Sequence, residues 1–288
     1  MKSKFFLLLS LFLLLISCNT VKYKRFVETL PAPSGAVSAD IRYRDAFRRC
    51  SLDIYWPEGG CEKMPIQPAP VYVFIHGGSW MVGSKDFIRL YEESLIEPLR
   101  ERGVVVVSVG YRFVWQTPFP NLSKDIHAAM EYLRRESETY RLDMNRVVIH
   151  GQSAGAHLAM LEGLRYPEGI RLIVDEFGPA DLVAFQKDQP AVGIVSKRIR
   201  KQESPTEWVS AGMPPMIIWH GDADTMVPIS QSEILIEKIK SVGGQVRLNV
   251  VPGADHGYIN LSMDKTIEVS REICSEVLKA LEVPGAEF

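Results

Sequence analysis

An unbroken run of valines, from Val104 to Val107, is the feature that most constrains the fold of this chain. A strand without polar alternation is covered on both faces, which is typical of the centre of a parallel sheet. Similar short apolar segments recur along the chain, separated by stretches of helical periodicity. The predicted strands are residues 50–55, 71–75, 104–109, 146–150, 172–177, 216–220 and 245–251. This alternation predicts an α/β domain with a mostly parallel central sheet flanked by helices.

Two amphipathic helices stand out between the predicted strands. The first is predicted over residues 123–137, with Ser123 as a suitable N-cap. The second is predicted over residues 230–242 and ends at Gly243 and Gly244, because glycine is favoured just past a helix C-terminus. No internal repeat is visible, so we expect one domain over residues 41–288.

The composition is that of a globular protein, since 46% of the 288 residues are apolar and 24% are charged. These proportions exclude a disordered or collagen-like chain. The 33 basic and 35 acidic side chains give a net charge of -2. Nucleic-acid-binding proteins usually carry a clustered positive face, so we expect no nucleic-acid partner.

The N-terminus has the features of a secretory signal peptide. Lys2 and Lys4 precede an apolar stretch over residues 5–16. This stretch is shorter than the roughly 20 residues that span a bilayer. The sequence therefore predicts export, and an uncleaved N-terminal anchor is one alternative.

The apolar stretch ends in Leu-Ile-Ser-Cys at residues 15–18, which resembles a bacterial lipobox. In that motif the signal peptidase cuts before the cysteine, which carries the lipid. We therefore expect residues 1–18 to form a lipoprotein signal peptide and residues 19–40 a tether. Cys18 would anchor the exported chain to the bacterial cell envelope, in the periplasm or at the outer membrane. An ordinary signal peptide cleaved near a cysteine is the other alternative.

Export would place the remaining cysteines in a compartment that permits disulfides. Cys50 and Cys61 lie eleven residues apart, which would allow a local bridge. Cys274 lies in a C-terminal segment of helical periodicity, and we expect it to be a buried thiol.

A short predicted strand is followed directly by Gly-Gln-Ser-Ala-Gly at residues 151–155 and then by a series of helix formers. Glycines around a central serine leave room for a sharp turn from strand to helix, called a nucleophile elbow. In such a turn Ser153 would adopt a strained backbone conformation and project its hydroxyl from the edge of the sheet. This context favours a nucleophile over a structural turn.

A second glycine motif, His-Gly-Gly-Ser-Trp at residues 76–80, follows another predicted strand. Adjacent glycines allow backbone N–H groups to turn toward one point, as an oxyanion hole requires. We expect Gly77 and Gly78 to contribute such groups together with the N–H of Ala154. A Gly-Gly turn is common alone, but it is unlikely to precede an elbow by chance.

A serine hydroxyl needs a general base, and the chain has six histidines. Five of them lie at strand ends or in helices, where each has a plausible structural role. His256 instead lies in a loop after the last predicted strand, where its ring can reach the edge of the sheet. We predict His256 as the base, with His157 as the alternative.

The group that orients the base is predicted in the loop after residues 216–220, where Asp222 and Asp224 compete. Only one of two such close carboxylates can contact one imidazole, and the other would hold an Asx turn. We choose Asp224 of the two, and with either residue the order along the chain is Ser, Asp, His.

With these motifs the chain resembles the α/β-hydrolase superfamily, and within it the esterase and lipase group related to hormone-sensitive lipase and to bacterial acetylxylan and feruloyl esterases. The resemblance runs from about residue 41 to the C-terminus. The motifs are His76 to Trp80 with Gly83 and Lys85, Gly110 to Arg112 with Phe119, Pro120 and Asp125, Gly151 to Gly155 with His157, and His220 to Asp224 with Val227, Pro228 and Gly253 to His256.

The resemblance implies an α/β-hydrolase fold and a serine esterase that needs no cofactor or metal. It implies Ser153, Asp224 and His256 as the catalytic triad, because the family's acid precedes x-x-Val-Pro. It also places the oxyanion hole at Gly77, Gly78 and Ala154. One departure is Ser79, where the family often has a third glycine.

The segment over residues 181–212 is too short for a large lid, so we expect a small cap over an open cleft. An open cleft favours short acyl groups on a bulky alcohol over long-chain triglyceride. The predicted export and the resemblance together suggest acetyl or feruloyl groups on carbohydrate as candidates. Trp80, Trp115 and Tyr111 are candidate lining residues, with packing in the core as the alternative. The basic residues of the segment are expected to form a solvated helix face, with contact to anionic sugar or lipid head groups as the alternative.

Two rival functions remain, a serine peptidase of the prolyl oligopeptidase type and a catalytically silent binding module. A peptidase of this type normally has a propeller or other gating domain, and no repeat that would form one is visible in the sequence. A silent binding module would lack a triad residue, and none is missing here. The expected partner is a small-molecule or carbohydrate ester, with membrane contact only through the N-terminal lipid.

Overall fold

The structure, a computed structural model, describes residues 35–57, 60 and 67–284. Its eight strands form one sheet in the order β1-β2-β4-β3-β5-β6-β7-β8. The strands are β1 (Val37–Arg42), β2 (Ser51–Tyr55), β3 (Ala69–Ile75), β4 (Val105–Val109), β5 (Leu142–Gln152), β6 (Ile170–Glu176), β7 (Met216–Gly221) and β8 (Val246–Val251). All seven predicted strands are present, as β2 to β8.

The sheet is parallel from β4 to β8, and β1 and β2 are antiparallel at one edge. Both faces are buried, because Val71 and Val73 pack into one core whereas Tyr72 and Phe74 pack into the other. The predicted parallel sheet is therefore confirmed. The sequence missed β1, which is an edge strand with several exposed positions and begins four residues before the predicted domain boundary at residue 41.

Helices cover the two faces of the sheet. They are α1 (Glu97–Glu101), α2 (Pro120–Arg135), α3 (Ser137–Tyr140), α4 (Ala154–Arg165), α5 (Leu182–Phe185), α6 (Lys197–Gln202), α7 (Ser230–Ser241) and α8 (Met263–Ala280). Short 3-10 turns lie at Lys85–Tyr91, Pro190–Ile194, Pro205–Glu207 and His256–Tyr258, and a π-helical turn lies at Glu92–Ile96. The helices α2, α4 and α7 pack on one face, and α1 and α8 pack on the other.

The prediction that Ser123 caps the first amphipathic helix is wrong. Helix α2 begins at Pro120, since proline is favoured in the first turn, where its missing N–H costs no hydrogen bond. Ser123 lies inside the helix, where its hydroxyl donates to the carbonyl of Pro120 at 3.1 Å and to Glu203 Oε2 at 2.9 Å.

The segment between β6 and β7 forms a small cap made of α5, α6 and two 3-10 turns. Lys197, Arg198 and Lys201 on α6 are exposed, as expected for a solvated helix face, but Arg200 is buried. Within the ranges that the structure describes, no helix combines the length and the apolarity that a membrane span requires.

Two cysteines are seen as free thiols, and both are buried. Cys274 lies on α8, as predicted, and burial raises the pKa of its thiol to about 12. Cys50 lies just before β2, and its Sγ is 3.9 Å from Asp125 Oδ2. Cys61, the partner considered for a disulfide, and Cys18 both lie outside the described residues.

Candidate active site

Ser153 lies at a sharp turn between β5 and α4, with φ 54° and ψ -120°. A side chain other than glycine rarely adopts this conformation, which places the hydroxyl outside both elements. The helix after the turn comes very close to β3, because a Cβ atom on Gly155 would lie only 2.1 Å from the carbonyl oxygen of Ile75. The glycine of the motif is therefore needed for close packing.

The imidazole of His256 connects Ser153 with Asp224. His256 Nε2 lies 2.9 Å from Ser153 Oγ, and His256 Nδ1 lies 2.7 Å from Asp224 Oδ2. The carboxylate can only accept, so Nδ1 carries the proton and Nε2 is free to accept the proton of the serine hydroxyl. The structure thus joins three predicted site residues in one hydrogen-bonded chain.

Asp224 is held by its own loop as well as by the imidazole. Its Oδ1 accepts from the N–H groups of Met226 at 2.8 Å and Val227 at 2.9 Å. Burial acts to raise the pKa of this carboxyl, but hydrogen bonds from His220 and His256 outweigh it. The pKa of Asp224 is therefore well below its usual range, and the group is a carboxylate at neutral pH.

The two alternatives from the sequence lie apart from this chain of hydrogen bonds. Asp222 is exposed and accepts from the N–H of Gly253 at 2.6 Å. His157 is fully buried, with Nε2 donating to the carbonyl of Glu203 at 2.6 Å and Nδ1 accepting from Trp80 Nε1 at 3.2 Å. Burial lowers the pKa of His157 to about 3, so its ring is a neutral packing group.

The glycine loop after β3 lies beside the serine. A Cβ atom on Gly77 would come within 3.4 Å of the Cβ atom of Ser153. Gly78 has φ 120°, a conformation that favours glycine, and Ser79 follows with φ 53°. Ala154 is the first residue of α4, where N–H groups have no partner within the helix. The structure brings Gly77 and Ala154 to the same point as Ser153.

A cavity of about 520 Å³ opens at Ser153 and Ala154. Its other walls come from the glycine loop, the β4–α2 loop, the cap and the loop after β7, and consist of Ser79, Trp80, Met81, Val114, Phe119, Pro179, Phe185, Gln189, Val192, Ile194, Val195, Ser196, Ile199, Met226 and Val227. Among the described residues that line it, none carries a charged side chain, so the cavity suits an uncharged, apolar group.

The three aromatic residues proposed to line the cleft have different positions. Trp80 lines the cavity. Trp115 is 66% exposed, and its Nε1 donates to the carbonyl of Met81 at 2.8 Å. Tyr111 packs in the core, which was the alternative considered for it, since its ring is buried and stacks on His76 at 4.4 Å between ring centroids. Its hydroxyl donates to the His76 carbonyl and supports the glycine loop.

Sequence reasoning missed most of the cap residues in the cavity wall, for example Val192 and Ile199. They are isolated apolar residues in a segment without clear periodicity, so no motif distinguishes them from ordinary core residues. It also missed Glu176 and Phe177, which contact the elbow and the histidine loop. The sequence signal that could have found them was Glu176, an acidic residue at the end of a buried strand.

Comparison with known proteins finds a matching family model and related esterases. Residues 52–239 match the family model BD-FAE. Esterase LipC of Mycobacterium tuberculosis is 25% identical over 268 residues, which cover 84% of this chain and 62% of that protein. The probable isoprenylcysteine alpha-carbonyl methylesterase ICMEL1 of Arabidopsis thaliana is 25% identical over 76% of this chain and 51% of that protein. The chain thus spans only part of the length of these curated relatives.

Solved structures show the same fold. Esterase Est2 of the planctomycete Thermogutta terrifontis with propionate bound has 25% identity and a TM-score of 0.66, covering 85% of this chain and 95% of that chain. A truncated carbohydrate esterase from gut microbiota has 21% identity and a TM-score of 0.69, covering 86% of this chain and 100% of that chain. The predicted α/β-hydrolase fold is therefore confirmed, and the chain belongs to the BD-FAE family, within the esterase and lipase group of the α/β-hydrolases.

Proposed function

We propose that this protein is a serine carboxylic-ester hydrolase that works through an acyl-enzyme on Ser153. The observation that carries the proposal is the hydrogen-bonded chain from Ser153 through His256 to Asp224 at the mouth of an uncharged cavity. The arrangement suits the first step, because the ionised Asp224 accepts from His256 Nδ1 and His256 Nε2 faces the serine hydroxyl.

In the acylation step, Ser153 Oγ attacks the ester carbonyl carbon while His256 Nε2 takes the hydroxyl proton. Asp224 holds the tautomer and stabilises the imidazolium that forms. The tetrahedral intermediate collapses when the bond to the alcohol oxygen breaks, and that oxygen takes the proton from His256. Water then attacks the acyl-enzyme with the same base, which releases the acid and restores Ser153.

The oxyanion of each tetrahedral intermediate is assigned to the N–H groups of Gly77, Gly78 and Ala154. Support comes from the position of Gly77 beside the serine and of Ala154 at the N-terminus of α4. Losing one donor of this kind typically costs about 3 kcal/mol of transition-state stabilisation. The helix dipole of α4 adds a favourable field at the same point.

We propose short-chain acyl esters as the substrate class, with acetyl or feruloyl groups on carbohydrate as candidates. The apolar cavity would hold the acyl group, whereas a polar alcohol would remain at the open side. The propionate complex of Est2 supports a short acyl group in this fold. Among the described lining residues there is no cation, so acyl groups with a free carboxylate are not favoured.

Release of p-nitrophenol from matched acetate, butyrate and octanoate esters tests the proposal. We expect a maximum at acetate or butyrate and a loss on the order of 10⁶-fold in Ser153→Ala. Ser196→Ala is the matched control, because Ser196 lines the same cavity without joining the chain of hydrogen bonds. Equal activity of wild type and Ser153→Ala would refute the proposal, and cleavage of only an aminoacyl anilide would indicate a peptidase.

We further propose that residues 1–18 direct export and that Cys18 carries a lipid. The support is the basic start, the short apolar stretch and the lipobox-like sequence that follows it. In bacteria fed a radiolabelled fatty acid, wild type should incorporate label and Cys18→Ser should not. Equal labelling of both proteins would contradict the anchor.

A further inference from the structure

The chain makes a tight turn at the end of β6, over Asp175 to Gly178, which we call the β6 corner. Phe177 has φ 46°, in the left-handed region that side chains rarely adopt. The turn is held by two hydrogen bonds, from Gly178 N–H to Asp175 Oδ1 at 2.8 Å and from Phe177 N–H to the carbonyl of Trp219 at 2.9 Å. Strain of this kind persists only where the surroundings fix it, and it is common at functional sites.

Glu176 of the β6 corner holds the nucleophile elbow at three positions. Its backbone carbonyl accepts from the N–H of Ser153 at 2.8 Å. Its side-chain Oε1 accepts from Gln152 Nε2 and from His150 Nε2, both at 2.8 Å. Glu176 is only 2% exposed, so these contacts are shielded from water.

The hydrogen bonds beyond Glu176 fix the orientation of both donors. Tyr72 donates its hydroxyl to His150 Nδ1, which leaves the proton on Nε2 to face the carboxylate. Gln152 Nε2 donates also to the hydroxyl of Tyr91 at 2.7 Å. The side chains of His150 and Gln152, on one face of β5 just before Ser153, are therefore held in place by hydrogen bonds to Glu176.

Phe177, the next residue, contacts the base instead of the nucleophile. Its ring packs edge-on against the imidazole of His256, with 4.9 Å between centroids and an interplanar angle of 69°. It also packs against Tyr258 at 5.1 Å and 87°, so it contacts the histidine loop on both sides of Gly257. Phe177 is 4% exposed and has little freedom to move away.

We infer that Glu176 and Phe177 are positioning residues, which together set the distance and angle between Ser153 and His256. The inference rests on the proposed function. One rigid turn contacts both partners of the 2.9 Å hydrogen bond that transfers the proton. Misplacing reacting groups by about 1 Å can cost about 100-fold in rate, so a loosened corner should act on kcat.

Glu176→Gln tests the carboxylate, because it keeps the shape but replaces one acceptor oxygen with a donor. Phe177→Leu tests the ring contact and keeps the site apolar. Glu162→Gln is the matched control, since Glu162 is also 2% exposed and pairs with a histidine, His127 at 3.2 Å, but lies on α4 far from Ser153. Variants of the 288-residue chain are compared by kcat and KM on p-nitrophenyl butyrate and by thermal unfolding.

The reactivity of Ser153 is measured separately with a dialkyl fluorophosphonate. In that reaction the Ser153 Oγ–P bond forms, the P–F bond breaks, fluoride leaves and His256 takes the hydroxyl proton. The second-order rate of phosphonylation reports the serine–histidine geometry and requires no particular ester. It therefore separates failure of this inference from failure of the proposed function.

We expect Glu176→Gln and Phe177→Leu each to lower kcat and the phosphonylation rate about 10-fold or more, with KM within twofold of wild type. Glu162→Gln should lose comparable thermal stability without this loss of rate. If both corner variants phosphonylate within twofold of Glu162→Gln, the inference is overturned. If wild type is phosphonylated but cleaves no ester, the proposed function fails, and the phosphonylation rates alone decide the positioning role.

Discussion

Asp224→Asn is the substitution whose effect the site geometry defines best. Asp224 Oδ1 accepts two backbone N–H groups, from Met226 and Val227, and Oδ2 faces His256 Nδ1. In the asparagine variant, the carbonyl oxygen must stay on the two N–H groups to satisfy them. The amide NH₂ would then face the imidazole and donate to Nδ1, which moves the ring proton to Nε2. A protonated Nε2 cannot accept the proton of Ser153.

The expected loss of kcat can be worked out from the cost of flipping the asparagine amide, which would restore the tautomer with the proton on His256 Nδ1. Flipping the asparagine amide would leave the N–H groups of Met226 and Val227 without acceptors, at about 1–3 kcal/mol each. At about 1.4 kcal/mol for each factor of ten, the competent arrangement becomes about 30-fold to 10⁴-fold rarer. We therefore expect kcat to fall within that range and KM to change little. The upper limit equals the loss of about 10⁴-fold seen when a serine hydrolase triad is held in the wrong tautomer.

The assay is the initial rate of p-nitrophenyl butyrate hydrolysis at saturating substrate. Asp222→Asn is the matched control, because an asparagine there can still accept from the N–H of Gly253, and its kcat should stay within twofold of wild type. A less than 10-fold loss in Asp224→Asn would refute the reasoning. So would a larger loss in Asp222→Asn, which would make Asp222 the acid.

Other predictions concern burial, packing and the cavity. Burial raises the pKa of Asp175 to about 7, so wild-type stability should fall as pH rises from about 4 to about 7. The free energy of urea unfolding of Asp175→Asn, relative to that of wild type, should be higher at pH 8 than at pH 5 by up to about 3 kcal/mol, because that window covers about two pKa units of the shift. Gly155→Ala should give no soluble folded protein by circular dichroism, because its Cβ would lie 2.1 Å from a backbone oxygen. Ile199→Phe should narrow the cavity and lower kcat/KM for the octanoate ester about 10-fold, with the acetate ester within twofold.

The central strands were predictable because their burial on both faces leaves a direct signature in sequence. The run at Val104 to Val107 has no polar residue, and β4 lies between β2 and β3 with both faces covered. Strand β1 left no such signature, since it has a partner on one side only and keeps several side chains exposed. The predicted start of α2 was three residues too late because the sequence offers two signals for it. Serine is a favourable N-cap, which pointed to Ser123, whereas proline is favoured in the first turn, where Pro120 lies.

The residues at the serine were easier to place than the cavity that surrounds it. Ser153 and Gly155 belong to a local motif, because a sharp turn with a close helix imposes residue types at fixed spacing. The cavity walls have no such spacing. Val114, Phe185 and Ile199 line one cavity only because the β4–α2 loop and two helices of the cap converge at one edge of the sheet. Each is an ordinary apolar residue in its own segment. The sequence pattern therefore predicts the residues around Ser153 better than it predicts the shape of the cavity, on which the choice of substrate depends.

The competition between Asp222 and Asp224 shows where sequence reasoning reaches its limit. From residue types alone, one carboxylate was expected to hold an Asx turn and the other to contact the imidazole. In the structure Asp224 does both, because its two oxygens face different groups: Oδ1 faces its own loop and Oδ2 faces His256. Asp222 instead accepts from the N–H of Gly253, three residues before His256, and so connects the loops that carry Asp224 and His256. Which oxygen meets which N–H depends on how the two loops turn, and that is set by three-dimensional packing rather than by residue type or spacing.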